Sequence, residues 1–266
     1  MLIIGEKINT VNKNVAVALE NRDKAFFQKL ASTQIGSGVV DVIDVNVGTD
    51  PDKEPDYMKW MVSCVEEVTA GKVPLSIDSS SPKAIIAGIE EIENKEGAFI
   101  NSITIEESRH KDLLPVAKEY GLNIIALPID RGGIPQTAEN RLKNAEKIVD
   151  LVISYDISPS KLYIDCIVEP ISLSCDKARI SLDTVKKVKK YIPEVKTFIC
   201  LTAISFGLPD RKLINRNFLS LLLREGIDSI ILDPLDKELV KTLFTTNLLL
   251  GEDEYCQNFL KLFRKK

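Results

Sequence analysis

Short runs of β-branched and aliphatic residues alternate along this chain with longer stretches whose apolar positions recur every three or four residues. Eight such runs stand out, at 2–8, 40–47, 73–79, 98–103, 123–129, 162–168, 197–204 and 229–232. A strand followed by an amphipathic helix, repeated in series, predicts a parallel sheet with helical crossovers. Helical spacing covers 82–92, where Ile85, Ile86, Ile89 and Ile92 share a face, and also 138–155 and 213–225. Gly38, Gly71, Gly97, Gly121 and Gly226 stand where a helix should end and the next strand begin, the place where a left-handed residue closes the last turn.

Eight units without a linker predict an α/β chain folded as one (β/α)8 TIM barrel, a single domain spanning 1–266. An open doubly wound sheet is the alternative, but it calls for a G-x-G-x-x-G turn after the first strand, and none is there. The tail 252–263 carries Tyr255, Phe259, Leu260 and Phe263 on one side. It predicts an extra C-terminal helix that seals the barrel or packs on a neighbouring subunit.

Charge and composition narrow the function classes. A net charge of −4 and a pI near 5.3 argue against nucleic-acid binding, which needs a clustered basic surface. Lys186, Lys187, Lys189 and Lys190 read as a solvated helix face. The longest apolar runs are too short to span a bilayer, and MLIIGEKIN has no basic leader, so a cytoplasmic location is expected. Five cysteines, scattered and without C-x-x-C spacing, fit reduced thiols and offer no zinc framework.

The chemistry of a barrel sits at the C-terminal ends of its strands, and here nearly every run ends on a polar group. In order these are Glu6 and Asn9, Asp44 and Asn46, Asp78, Asn101, Asp130 with Arg131, Asp165, Ser205 and Asp233. Some of them could cap helices, and Asp78 with Ser79–Ser81 before Pro82 fits a helix start. As a set they are too costly for mere packing, since each unpaired buried polar group costs roughly 1–3 kcal/mol. Acceptors that outnumber cations suit a ligand rich in N–H donors, because a carboxylate opposite two adjacent N–H groups makes a strong bidentate pair. An amide such as Asn101 can donate and accept at once. A divalent metal held by the same acids is the rival reading.

With these residues in hand, the chain resembles the methyltetrahydrofolate–corrinoid methyltransferases of the pterin-binding superfamily, in particular the stand-alone enzymes of acetogenic bacteria. The resemblance runs through LIIGEKIN (2–9), DVNVG (44–48), IDSS (77–80), INS (100–102), GIP (133–135), YID (163–165), SFGLPDRKLINR (205–216) and YCQNFLKLFR (255–264). It implies tetrahydrofolate or 5-methyltetrahydrofolate as the bound folate, with Asp78, Asn101 and Asp165 holding the pterin ring. Asp44, Asn46, Ser205 and Arg211 would line the same mouth, with Arg211 toward the benzoate or glutamate end. It also implies a homodimer. Dihydropteroate synthase shares the ancestry, but Asp233-Pro234-Leu235-Asp236 replaces its expected Arg-x-His phosphate site. Where the family has Ser-Asn near the end of strand seven, with the amide on folate N5, this chain has Thr202-Ala203. N5 would then be served by Thr202, by water or by a rearranged neighbour.

The implied reaction is methyl transfer between N5 and the cobalt of a corrinoid. The chain lacks an Asp-x-His-x-x-Gly cobalamin motif, so the corrinoid is expected on a separate partner protein. A metal-dependent barrel lyase or aldolase and a non-catalytic folate binder remain as alternatives. The single histidine, His110, is expected at the surface, Cys166 in packing, and Trp60, beside Met58 and Met61, in core or interface.

Overall fold

The computed structural model describes residues 1–264; the side chain of Phe263, which the sequence put on the tail's apolar side, lies outside the described residues. The strands are β1 (Leu2–Asn9), β2 (Val42–Asn46), β3 (Leu75–Asp78), β4 (Phe99–Ile103), β5 (Asn123–Ala126), β6 (Leu162–Asp165), β7 (Lys196–Cys200) and β8 (Ser229–Leu232). They run parallel in chain order, and β8 pairs back onto β1 to close a barrel. Around them lie α1 (Lys13–Glu20), α2 (Lys24–Gly36), α3 (Glu54–Thr69), α4 (Pro82–Glu91), α5 (Glu107–His110), α6 (Leu113–Tyr120), α7 (Ala138–Ser154), α8 (Lys177–Tyr191), α9 (Arg211–Arg224) and α10 (Lys237–Leu249). The expected extra helix is α11 (Gln257–Arg264), which packs on α10. With Gly38 and Val39 at the entry to β2 it borders a cavity of about 540 Å³. That places it at the end of the barrel where strands begin.

A strand turns successive side chains to opposite faces, and here both faces are buried. Outward positions such as Ile43, Ile77, Ile100, Ile124 and Ile164 pack under the helices. Inward positions Ile4, Val42, Phe99, Ile125, Tyr163, Phe198 and Ile231 form a separate apolar plug. Phe99 meets Tyr163 edge-on at 4.9 Å, and the Lys196 ammonium sits 4.7 Å over the Tyr163 ring. The plug gives the barrel a floor.

Two runs stop sooner than their apolar content suggests. The fifth ends at Ala126, shortly before Pro128, which has no N–H to offer a ladder. The seventh ends at Cys200, and 201–205 curl into a 3₁₀ turn. The predicted helix starts and stops hold well. Ser81 caps α4 by accepting from the Ala84 N–H, which leaves Asp78 free for other work. All five glycines expected at helix ends have positive φ. His110 corrects the sequence reading, for it is buried, with Nδ1 3.1 Å from the Thr104 carbonyl oxygen. One turn of α5 is enough to swing it inward, away from the strand-end ring.

Gly88 lets α4 approach the sheet. A Cβ there would lie 2.8 Å from Ile77 Cγ2 and 2.9 Å from Met58 Cγ. Gly88→Val is therefore expected to cost about 1–3 kcal/mol by overpacking, read as a lower urea midpoint at unchanged slope. An unchanged midpoint would show that Ile77 and Met58 can withdraw.

Candidate functional site

The alternation that builds the apolar plug also builds the polar layer above it. Two residues beyond Ile4, Val42, Phe99, Tyr163 and Ile231 come Glu6, Asp44, Asn101, Asp165 and Asp233. Strand register then aligns Asn46 with Asp78 and Asp78 with Asn101 across three neighbouring strands. One row lower, Asp44 stands beside Ser76.

Hydrogen bonds tie these rows together. Asn46 Nδ2 donates to Asp78 Oδ2 at 2.8 Å, Asn101 Nδ2 to Asp44 Oδ1 at 3.3 Å, and the Ser76 hydroxyl to the same Asp44 oxygen at 2.7 Å. Asp44 Oδ2 is buried and finds no hydrogen-bond partner among the described residues. On the other side of the mouth Asp165 ends β6 and accepts the Ile167 N–H at 2.7 Å. Ile167 takes φ +52°, a left-handed conformation that costs a β-branched residue on the order of 1–3 kcal/mol. The turn is held from behind by Arg141, which donates to the carbonyls of Cys166 and Ile167.

These carboxylates are short of positive charge. Burial pushes Asp165 up to about 7, against the Ile167 N–H and Arg141, with Asp78 adding repulsion. Burial likewise raises Asp78 to about 6, against help from Asn46 and Arg109. Asp44 is driven well above the usual carboxylate range by burial and then by Asp78. Glu6 is raised by burial too, despite the 2.9 Å bond from the Thr202 hydroxyl. The mouth thus holds acids near their titration points, with acceptor capacity in excess of donors. Such a lining takes a planar ligand edge of adjacent N–H groups, and it can hold or release a proton near neutral pH.

The structure joins Asn46 to Asp78 and Asn101 to Asp44 as two bonded pairs, brings the pairs together through strand register and the repulsion between Asp44 and Asp78, and adds Asp165 through its repulsion with Asp78. Thr202, Ser205 and Arg211 form a second group. Arg211 donates through Nε to Ser205 Oγ at 3.1 Å and through Nη2 to the Thr202 carbonyl at 2.8 Å, and it stacks 5.9 Å over Phe206. Ser205 has no accessible surface, so it braces Arg211 and does not itself line the mouth as expected. Other strand-end groups are spent locally. Asp130 takes the Gly132 N–H and the Asn144 amide, Asn9 takes the Val11 N–H, and Asp233 pairs with Lys7 at 2.8 Å. Cys166 is buried in a core cluster, and Trp60 is half-buried with its ring edge-on to Phe27.

Sequence reasoning passed over Ser76, Arg109 and Arg141. Ser76 could have been found by counting two residues back from Asp78. Arg141 interrupts the apolar stripe Ala138, Leu142, Ala145, Ile148, Val149 and Val152 of α7, and a cation in such a stripe is a signal. Nothing local marks Arg109, whose Nη2 reaches the carbonyls of Ser79 and Ser102. Among the described residues, no group of three or more His, Cys, Asp or Glu side chains is arranged to hold a metal ion.

The folded chain keeps the Asp165 proton up to about pH 7, whereas an unfolded aspartate loses it near 3.9. Between those values the folded state binds more protons, so stability falls as pH rises through the window. Asp165→Asn keeps an acceptor for Ile167 and removes the ionisation. It is expected to stabilise the ligand-free protein by on the order of 2 kcal/mol at pH 8, with the gain vanishing near pH 4, as read by urea denaturation. A variant no more stable than the parent at pH 8 would show that water already relieves the charge.

A model of the pterin binding enzyme family matches residues 9–233. Over 267 residues the chain is 33% identical to a methylcorrinoid:tetrahydrofolate methyltransferase of Eubacterium limosum, covering 100% of this chain and 97% of that protein. It is 28% identical over 246 residues to the methionine synthase of Mycobacterium leprae, covering 87% of this chain but 20% of that longer enzyme. Among solved structures, the dihydropteroate synthase of Xanthomonas albilineans in complex with 7,8-dihydropteroate superposes with a TM-score of 0.68 at 13% identity, covering 94% and 93% of the two chains. That likeness speaks for the fold alone. From its eight-stranded barrel to its full-length match with a curated relative, the chain belongs to the pterin binding enzyme family.

Proposed function

We propose that the protein is a corrinoid-dependent tetrahydrofolate methyltransferase, working from a methylated corrinoid carried on a separate protein toward 5-methyltetrahydrofolate. The direction follows the Eubacterium limosum relative, whose name states methylcorrinoid and tetrahydrofolate as its reactants. The observation that carries the ligand reading is the surplus of acceptors at one barrel mouth, the Asp78 and Asp165 carboxylates raised by burial above all. In this reading Asp78 and Asp165 accept from the donor edge of the pterin. Asn46 fixes Asp78, and Asp44 fixes the Asn101 amide. Arg211, exposed at the rim, meets the acidic tail of the folate.

Methylation joins N5 to the methyl carbon while the cobalt–carbon bond breaks, leaving its electron pair on cobalt as Co(III) becomes Co(I). The N5 proton must then leave. Ala203 brings only a methyl group to the place where the family has an amide. Thr202 already donates its hydroxyl hydrogen to Glu6, so its oxygen is left to accept from N5–H. A path from N5 through Thr202 to Glu6 suits a reaction that sheds this proton, and a Glu6 carboxyl raised by burial is a stronger base than a solvated one. The chain is further taken to work in the cytoplasm as one functional unit and as a homodimer. Leu213 and Leu221, exposed along α9, support the last point, and light scattering tests it.

Titration with tetrahydrofolate, with and without a chelator, tests the ligand assignment. Binding that survives chelation is expected, and Asp165→Ala or Asn101→Ala should weaken it by tenfold or more, roughly the loss of one charge-assisted hydrogen bond. Unchanged affinity in both variants would refute the placement of the pterin. Thr202→Val should slow methyl transfer from a methylated corrinoid protein by about 10²-fold with folate affinity nearly intact, followed through the cobalt spectrum. Equal loss of binding and rate would instead mean that Thr202 only holds the ligand.

A further inference from the structure

We propose that Arg141 is a positioning residue for Asp165: from behind the barrel wall it clamps the turn that presents the carboxylate and supplies the buried positive charge facing it. The role of Asp165 as a folate ligand rests on the function proposed above; the clamp itself rests on geometry. Arg141 is a fully buried side chain in the first turn of α7. Its Nε donates to the Pro135 carbonyl at 3.0 Å, Nη1 to the carbonyls of Cys166 at 2.9 Å and Ile167 at 2.6 Å, and Nη2 to Glu169 at 2.8 Å. All but the first of these bonds end within four residues of Asp165. Ser181 adds a 2.7 Å bond to the Ile167 carbonyl. So fixed, Ile167 holds φ +52° and turns its N–H onto Asp165 Oδ1.

Packing alone does not account for a guanidinium here. Burying a cation is expensive unless anions face it. Of the two carboxylates acting on Arg141, Glu169 is shared with Lys177 at 3.0 Å, leaving the Arg141–Glu169–Lys177 cluster with one net positive charge. Asp165 has no cation in direct contact among the described residues and takes up that excess at longer range. The charged and titratable groups facing Asp165 are Arg141 from α7, Asp78 from β3, and Cys166 and Cys200 from the β6 and β7 ends. Arg141 is the one cation in that set. An arginine fork does here what one lysine could not: its three nitrogens reach Pro135, the Cys166 and Ile167 carbonyls and Glu169 at once, tying the turn to its surroundings while facing the acid with its charge.

The titration of Asp165 in the ligand-free protein, followed by carboxyl-¹³C NMR of Asp-labelled material and assigned with Asp165→Asn, tests this without folate. Arg141→Met should move the midpoint up by about one pH unit, equivalent to a tenfold change in ionisation at a given pH. The pH dependence of tetrahydrofolate affinity should move with it. Arg141→Lys should keep the midpoint within about 0.3 unit, the charge being retained, yet weaken folate binding at every pH because the fork is lost. Should Arg141→Met fail to fold, Glu169→Gln serves instead: freeing the arginine from its anion should move the Asp165 midpoint down. A midpoint that stays put in the folded Met variant, or in Glu169→Gln, overturns the proposal. Wild-type protein that binds no tetrahydrofolate at any pH would sink the proposed function, and the NMR midpoints would still decide the clamp.

Discussion

One constraint governs the molecule: a parallel barrel strand has two buried faces and a period of two, so every inward position is answered by another inward position two residues on. The lower of these positions are filled by Ile4, Val42, Phe99, Tyr163 and Ile231, and burial there is favourable at roughly 25 cal/mol per Å² of apolar surface. The upper ones cannot be solvated as they would be at a surface, yet they carry carboxylates and amides. The apolar layer fixes the height and direction of the polar one. No loop has to be held in place to bring Asp78 beside Asn101, because adjacent strands in register already do so. Rigid strands are the preferred support for such a set.

The same alternation explains what could be seen in the amino-acid order. Strand-to-helix rhythm, glycines at helix ends and polar strand termini are local or periodic, so the barrel and most of the ring were legible. What escaped depends on longer reach. Whether Asp130 faces a ligand or closes its own turn depends on Gly132 and Asn144, which no periodicity foretells. Ser205 looked like a lining residue, but the 3₁₀ turn after β7 rotates it beneath Arg211. His110 sits among charged neighbours that suggest exposure, while a single helical turn carries it inward. Arg141 is the most instructive omission, since the two carbonyls it holds beside Asp165 lie 25 and 26 residues away along the chain.

The ring is costly to the ligand-free fold. Asp44, Asp78, Asp165 and Glu6 all titrate above their solution range because they are buried together with few donors. An evolved core would shed such strain unless something repaid it. On the proposed function, a heterocycle bearing several N–H groups would provide the missing donors on arrival, and part of its binding free energy would be the relief of that repulsion.

The aromatic floor of the barrel has a bearing on traffic. Tyr163, Phe99 and Phe198, with Lys196 laid over the first of them, close the lower side of the polar cup and leave its open side at the strand C-terminal ends. On the proposed function, the small reactant and the macromolecule that brings the methyl group must share it. A docked macromolecule would cover a seated folate there, so on that function turnover would be a matter of queueing as much as of bond making.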